Sequence, residues 1–372
     1  MNTPLSIQEF LKQSEKFPVI DVRSPGEFEQ GHIPGAFNVP LFDNEERTKV
    51  GTAYVQIGKE EAIRIGYELA NPKIKSFLEQ VEKIIQPEQL NNRTTEHSND
   101  ELPTADCRLP TLLIHCWRGG MRSSKFAQLL NEHGYKTHTL VRGYKAYRHF
   151  VLQSFTPDSY RDDARVLVIG GETGSGKTEI LKKISERGEQ VIDLEAIAHH
   201  KGSAFGSLGE RPQPTQEQFE NDLSYSFSKV SNFGKAVWIE DESRSIGKAQ
   251  IPFALWIKMK EAPIFRIYVT KQLRIQRLLE DYGKFSKEEL KNCILKIQQR
   301  LGGQHVKHAL EELEKGNLYE VADIALTYYD KAYNYHHETR NIKNIFRIEC
   351  ETADSSLNAK KIIEFANTME HR

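Results

Sequence analysis

The 372-residue sequence lacks any apolar run near the roughly 20 residues that a bilayer span requires, which argues against a helical membrane protein. Its start, MNTPLSIQEFLKQSEKF, has no basic stretch followed by an apolar core. No secretory signal is read there, and a cytoplasmic location is expected. Cysteine is scarce: the four present are Cys107, Cys116, Cys293 and Cys350, with no CxxC pairing. This spacing argues against a zinc site and a disulfide framework, so any chemically important cysteine acts alone. An excess of charge is missing too. Lys and Arg number 51 against 52 Asp and Glu, a formal net charge of −1. The overall field therefore gives no sign of a polyanionic partner, and binding to phosphates would rest on a local basic face.

What is present is a soluble composition, 38% hydrophobic and 28% charged, at a length comfortable for two domains that each bury a core. The first third alternates short apolar strand candidates (PVIDV, TLLIHC, THTLV) with helical stretches such as SSKFAQLLNEHG, the pattern of an α/β domain with parallel strands. Residues 44–85 read as a helical insert and 89–108 as a polar, turn-rich loop. A second α/β pattern opens at RVLVIGGETGSGKTEILKKI and continues through QVIDL, AVWIED and IFRIYV, with charged periodic helix over 284–315. The expected organisation is an N-terminal domain over 1–150, a linker over 151–164, and an α/β domain with additional C-terminal helices over 165–372.

Between the strand TLLIH and the helix SSKFAQLLNEHG lies Cys116-Trp117-Arg118-Gly119-Gly120-Met121-Arg122. At a helix N-terminus, backbone N–H groups and the helix dipole face whatever anion occupies the loop, and Arg118 and Arg122 add guanidinium donors. The same groups favour a thiolate, which makes Cys116 a candidate nucleophile. Upstream, Val19-Ile20-Asp21-Val22-Arg23-Ser24-Pro25-Gly26-Glu27-Phe28 and Gly31-His32-Ile33-Pro34-Gly35-Ala36 resemble the N-terminal signature of the rhodanese superfamily. Asp21 and Arg23 are read as an ion pair that pins the first strand. The loop also fits HCxxGxxR, the signature of cysteine-dependent phosphatases, so spacing alone leaves sulfur transfer and phosphate chemistry both open. A phosphatase further requires a general acid, which no residue in the sequence identifies.

Gly171-Glu172-Thr173-Gly174-Ser175-Gly176-Lys177-Thr178 matches GxxxxGK[ST], follows a strand and opens a helix, the two contexts a phosphate-binding P-loop requires. Gly171, Gly174, Ser175 and Gly176 let the backbone wrap a diphosphate-like group. Lys177 reaches its outer oxygens, and the Thr178 hydroxyl is placed for Mg²⁺. Acidic partners for this loop are sought among Asp193, Glu240 and Asp241, with Glu242 beside them; capping a helix is the alternative role for each.

With both motifs in one chain and in this order, the sequence resembles the bacterial tRNA 2-selenouridine synthases. The resemblance is carried by CWRGGMRS, Glu45-Glu46-Arg47 through Val50-Gly51-Thr52, the P-loop, Asp193-Leu194-Glu195, His199-His200-Lys201-Gly202-Ser203-Ala204-Phe205-Gly206, Arg300-Leu301-Gly302-Gly303 and Tyr328-Tyr329-Asp330. Small departures are Lys201, where Arg is expected, and Ala196, where Gly is expected. The resemblance implies a rhodanese-like domain followed by a P-loop NTPase-like domain. It also implies replacement of sulfur by selenium in wobble-position 2-thiouridine of tRNA, with selenophosphate as donor and an S-geranylated intermediate made from geranyl diphosphate. A selenophosphate-supplying enzyme is a further partner it implies; a membrane is not. On this reading Arg118, Gly119, Gly120 and Arg122 hold selenophosphate beside Cys116, and the P-loop holds the diphosphate of the prenyl donor. An apolar channel for the prenyl chain would draw on Phe205, Phe219, Phe227 and Phe233, most of which are expected in the core. Lys271, Arg274 and Arg277, with Lys296, Arg300 and Lys307 beyond them, are candidate tRNA phosphate contacts. Trp117 is a candidate base-stacking residue. The alternative is a sulfurtransferase or cysteine phosphatase fused to a kinase-like P-loop domain.

Overall fold

The computed structural model describes residues 3–86, 111–156, 165–230, 235–337 and 344–370. The polar stretch 89–108 with Cys107, residues 157–164 of the expected linker, and Phe233 lie outside the described residues. The chain divides into two compact units, Met1–Gln153 and Ser154–Arg372.

The first unit is built on a five-stranded sheet in the order β1-β5-β4-β2-β3, every pair parallel, from β1 (Thr3–Leu5), β2 (Val19–Asp21), β3 (Phe37–Asn38), β4 (Thr111–His115) and β5 (Lys136–Leu140). Leu112, Leu113 and Ile114 of β4 are all buried, as a central strand covered on both faces requires. Short edge strands such as β1 and β3 carry too few residues for an alternating pattern. They exist because their partners offer free backbone groups, as when Thr3 pairs with His138 and Phe37 with Ile20. The insert forms the helices Asn44–Gln56, Lys59–Ala70 and Ile74–Ile85. The last of these lays Phe77, Val81 and Ile84 into the core against Phe126 and Ile114. The first is closed at its N-terminus by a capping box between Asp43 and Glu46, which satisfies two otherwise unpaired N–H groups.

The second unit carries a parallel sheet in the order β12-β11-β6-β8-β7, from β6 (Val166–Gly171), β7 (Gln190–Ile192), β8 (Val237–Glu240), β11 (Ile264–Tyr268) and β12 (Ile345–Glu349), with a small antiparallel ladder of β9 (Ser245–Ile246) and β10 (Ala249–Gln250). Alternate residues of β6 feed two cores on opposite faces: Val166 and Val168 in one, Leu167 and Ile169 in the other. Both neighbours of β6 come later in the chain: the connection from β6 runs to β7 on one side, and that from β8 crosses to β11 on the other. Such a reversal opens a crevice at the carboxyl end of the strand, where the P-loop begins. The expected charged helix over 284–315 is three helices, Lys287–Lys296, Gln298–Leu301 and Gly303–Lys315, interrupted at Gly302. They pack with the long helix Leu318–His337 through Leu290, Ile294, Ala309, Leu313 and Val321.

Candidate active site

Cys116 follows the last residue of β4, and the helix Met121–Glu132 starts five residues later, so the loop is drawn tight between a central strand and a helix N-terminus. Its shape is fixed from below by the turn at Arg142 and Gly143, which have φ of 60° and 56°. Tyr144 N donates to Cys116 O at 2.8 Å and Lys145 N to Trp117 O at 3.0 Å. A Cβ on Gly143 would lie 2.1 Å from Cys116 O, and one on Gly119 2.6 Å from Leu140 O. Only glycine permits this approach. The Cys116 thiol is buried and its Sγ lies 3.2 Å from the Ser123 Oγ, itself within 3.1 Å of Gly120 O. Ser123, the last residue of CWRGGMRS, sits in the first turn of the helix that follows the loop.

Around the thiol the charges are organised in two layers. Beneath it, Arg23 and Asp21 form the expected ion pair, fully buried, with Arg23 Nε donating at 3.0 and 2.9 Å and Nη2 at 2.6 Å. The Arg23 guanidinium also sits 3.8 Å from the Tyr144 ring centroid. His115 is buried beside them, and that burial pushes its pKa down to about 4, so its imidazole is neutral near pH 7. Above, Arg122 Nη1 donates to Glu27 Oε2 at 3.0 Å, and Arg47 from the helical insert lies 3.7 Å from the same carboxylate. Burial alone would raise the Glu27 pKa; the charge and hydrogen bond of Arg122 outweigh it and hold the carboxyl below its ordinary value. Glu27 thus pins the arginine that the sequence assigns to the anion. Arg118 and Gly120 are exposed at the loop rim. Trp117 packs at 5.6 Å from Tyr144, the loop-packing role that competes with base stacking.

In the second unit Gly174 and Gly176 take φ of 79° and 82°, Lys177 Nζ donates to Gly171 O at 2.8 Å, and the buried Ser175 hydroxyl has no partner. Thr178 Oγ1 donates to Glu195 Oε2 at 2.9 Å. None of the three named acidic candidates takes that position. Asp193 caps the helix Leu194–Ala198 by accepting from Ala196 N at 2.7 Å, and buried Glu240 accepts from Leu194 N at 2.8 Å. Asp241 receives the Tyr333 hydroxyl at 3.5 Å. Glu195, two residues beyond the cap, is the carboxylate at the loop, and Glu242 stands with it. Burial and then the Glu195 charge push the Glu242 pKa up to about 8 against the opposing pull of Lys177. Burial likewise raises Glu195, while Lys177 and Thr178 pull it down.

Two of the three basic residues expected on a tRNA-facing helix, Arg274 and Arg277, bond carbonyls of the P-loop. Arg274 is buried, donates to both oxygens of Asp330 at 2.7 and 2.8 Å, reaches Thr173 O at 3.1 Å and lies 3.2 Å from Glu172. That geometry removes it from the candidate phosphate-tracking face. Arg277 donates to Gly174 O at 3.2 Å and Ala353 O at 3.1 Å, and its Nη1 occupies the space 2.1 Å from where a Gly176 Cβ would stand. Lys271 pairs with Asp323 at 2.7 Å. Of the channel candidates, Phe219 is core and Phe227 packs against that core. Phe205 packs against the cluster of Leu290, Ile294 and Val321 and also lines an apolar cavity that includes Thr173 of the P-loop.

The sheet orders and the two anion loops define a two-domain fusion of a rhodanese-like unit with a P-loop unit. A rhodanese-like domain matches residues 6–149, and the AAA domain of tRNA 2-selenouridine synthase matches residues 164–362. The chain belongs to the tRNA 2-selenouridine synthase family, whose members are tRNA-modifying transferases. A tRNA 2-selenouridine synthase of Bdellovibrio bacteriovorus is 31% identical over 90% of this chain and 92% of its own length. That of Nitrosomonas europaea is 37% identical over 71% of this chain and 63% of its own length. A crystallised N-terminal domain from Clostridium difficile 630, 37% identical, covers 40% of this chain and 99% of its own, with a TM-score of 0.32.

Proposed function

We propose that this protein replaces the sulfur of a wobble-position 2-thiouridine in cytoplasmic tRNA by selenium, through an S-geranylated intermediate. The thiocarbonyl sulfur attacks C1 of geranyl diphosphate, forming the C–S bond and releasing pyrophosphate. Selenophosphate then attacks C2 through selenium and expels geranylthiol, and hydrolysis of the Se–P bond releases phosphate. The alkylation matters because a thiocarbonyl sulfur leaves poorly, whereas a thiol is a competent leaving group. The P-loop backbone and Lys177 hold the diphosphate and stabilise the charge that develops on it as it departs. A Mg²⁺ accompanying that group would take Thr178 and Glu195, with phosphate oxygens and water completing its shell. This suits an ion bound through few carboxylates, and among the described residues no group of three metal-type side chains is assembled. The Cys116 loop holds selenophosphate, with Arg122 and Arg118 as counter-charges.

The observation that carries this reading is the apolar cavity joined to the P-loop at Thr173, lined by Phe205, Leu278, Tyr282 and Leu326. A prenyl chain fits such a lining; a nucleotide base and ribose would leave their polar groups unpaired there. Mass spectrometry of digested tRNA from cells with and without the gene tests it. Geranyl-containing and selenium-containing uridines are expected only with the gene, and strict dependence of purified enzyme on ATP hydrolysis would overturn the assignment of the P-loop.

A further inference from the structure

The cavity beside the P-loop has a direction. Arg274 binds both Thr173 O and Asp330, which ties the Asp330 end of the helix Leu318–His337 to the phosphate loop. At the other end, a Cβ on Gly283 would meet Leu318 Cδ1 at 3.7 Å, so the start of that helix closes against the end of the helix Lys271–Tyr282. The cavity lies between the two helices, with Thr173 of the P-loop at one end of its lining and Leu318 and the solvent-exposed Gly283 at the other. The long helix contributes Leu318, Val321, Ala322, Ala325, Leu326 and Tyr329 to the lining, a stripe at three- and four-residue spacing. Two of its six positions are alanine. Protein interiors normally close such gaps, and side chains of ordinary core size at 322 and 325 would fill this one.

We infer that this stripe is a ruler for the length of the prenyl chain, with Ala325 and Ala322 as its graduations; the inference rests on the diphosphate reading of the P-loop. At 1.5 Å per residue, Ala325 stands about 8 Å along the helix from Asp330, Ala322 about 12 Å and Leu318 about 18 Å. An extended eight-carbon main chain, that of a geranyl group, spans roughly 9 Å, and the four-carbon main chain of a dimethylallyl group roughly 4 Å. The tail of a geranyl chain therefore ends beside Ala325, and the space past Ala322 is reached only by a longer chain. Among the described residues no charged side chain lines the cavity. The Tyr329 hydroxyl is already engaged by Ala204 N at 3.1 Å, so chain length, not a polar contact, is what the lining reads.

The test measures binding of inorganic pyrophosphate and of dimethylallyl, geranyl and farnesyl diphosphates to the full-length protein and two filling variants. Ala325→Phe is expected to weaken geranyl diphosphate at least tenfold while leaving pyrophosphate and dimethylallyl diphosphate within threefold. Ala322→Phe, farther from the loop, leaves geranyl diphosphate within threefold and weakens farnesyl diphosphate. Equal effects of the two variants on geranyl diphosphate, or losses shared by pyrophosphate, overturn the ruler. Failure of the wild type to bind geranyl diphosphate while binding pyrophosphate would instead overturn the reading on which it rests.

Discussion

At the scale of single residues, the proposed mechanism gives Cys116 and Lys177 different half-reactions, and their variants would separate them. Cys116→Ser is expected to abolish selenation while geranylated tRNA accumulates. Lys177→Ala is expected to abolish geranylation while selenation of tRNA supplied already geranylated survives in part. Normal selenation by the first variant, or normal geranylation by the second, measured by tRNA digestion and mass spectrometry, refutes the corresponding role. Glu242 gives a pH prediction. Its pKa rises from 4.5 to about 8 on folding, chiefly through burial, so the folded state holds a proton that the unfolded chain has released. Its stabilising share is complete below the unfolded pKa and is lost as pH rises towards 8. Glu242→Gln should therefore flatten the fall in thermal midpoint across that window relative to wild type, and parallel curves for the two proteins would count against the shift. The placement of Cys116, Arg122, Lys177 and Thr178 at strand-to-helix turns was legible in the sequence because their motifs fix backbone context as well as residue type. Glu195 was not, since nothing local distinguishes it from Asp193 two residues earlier; only the fold decides which carboxylate caps a helix and which meets Thr178.

At the scale of elements, the cysteine loop depends on a turn 27 residues downstream in the chain, at Arg142 and Gly143. Gly143→Ala would place a methyl 2.1 Å from Cys116 O in a left-handed conformation. A destabilisation of about 2–4 kcal/mol is expected from the clash and the backbone strain together. Differential scanning calorimetry should show it as a lowered midpoint for the first unit, and an unchanged midpoint would mean the turn can move away. Strands that read as apolar runs, such as TLLIH and VLVIGG, were recognisable because central parallel strands are buried on both faces. The strands β1, β3 and β12 were not anticipated, because their existence depends on partner strands far away in sequence. The insert reads correctly as helix over 44–85, yet its most consequential residue is Arg47, which the periodicity does not mark and which reaches Glu27 beside Arg122.

At the scale of the molecule, the division into Met1–Gln153 and Ser154–Arg372 predicts that the second unit, expressed alone, folds and binds geranyl diphosphate but makes no 2-selenouridine. Circular dichroism and ligand titration check this, and an aggregated or non-binding fragment would show that the P-loop unit needs the first. By itself the sequence determined the two α/β units, their order, and the placement of Cys116 and of the glycine-rich loop each between a strand and a helix, since strand–loop–helix motifs are local and their glycines and cations lie next to one another in the chain. The tertiary structure alone decided that Arg274 is buried against Asp330 rather than offered to tRNA, and that Arg277 leans on the P-loop. It alone decided that Phe205, but not Phe219, borders a cavity. The physical reason is the same in each case: whether a charge is free or paired, and whether an aromatic ring meets core or space, depends on residues from distant parts of the chain that only folding brings together.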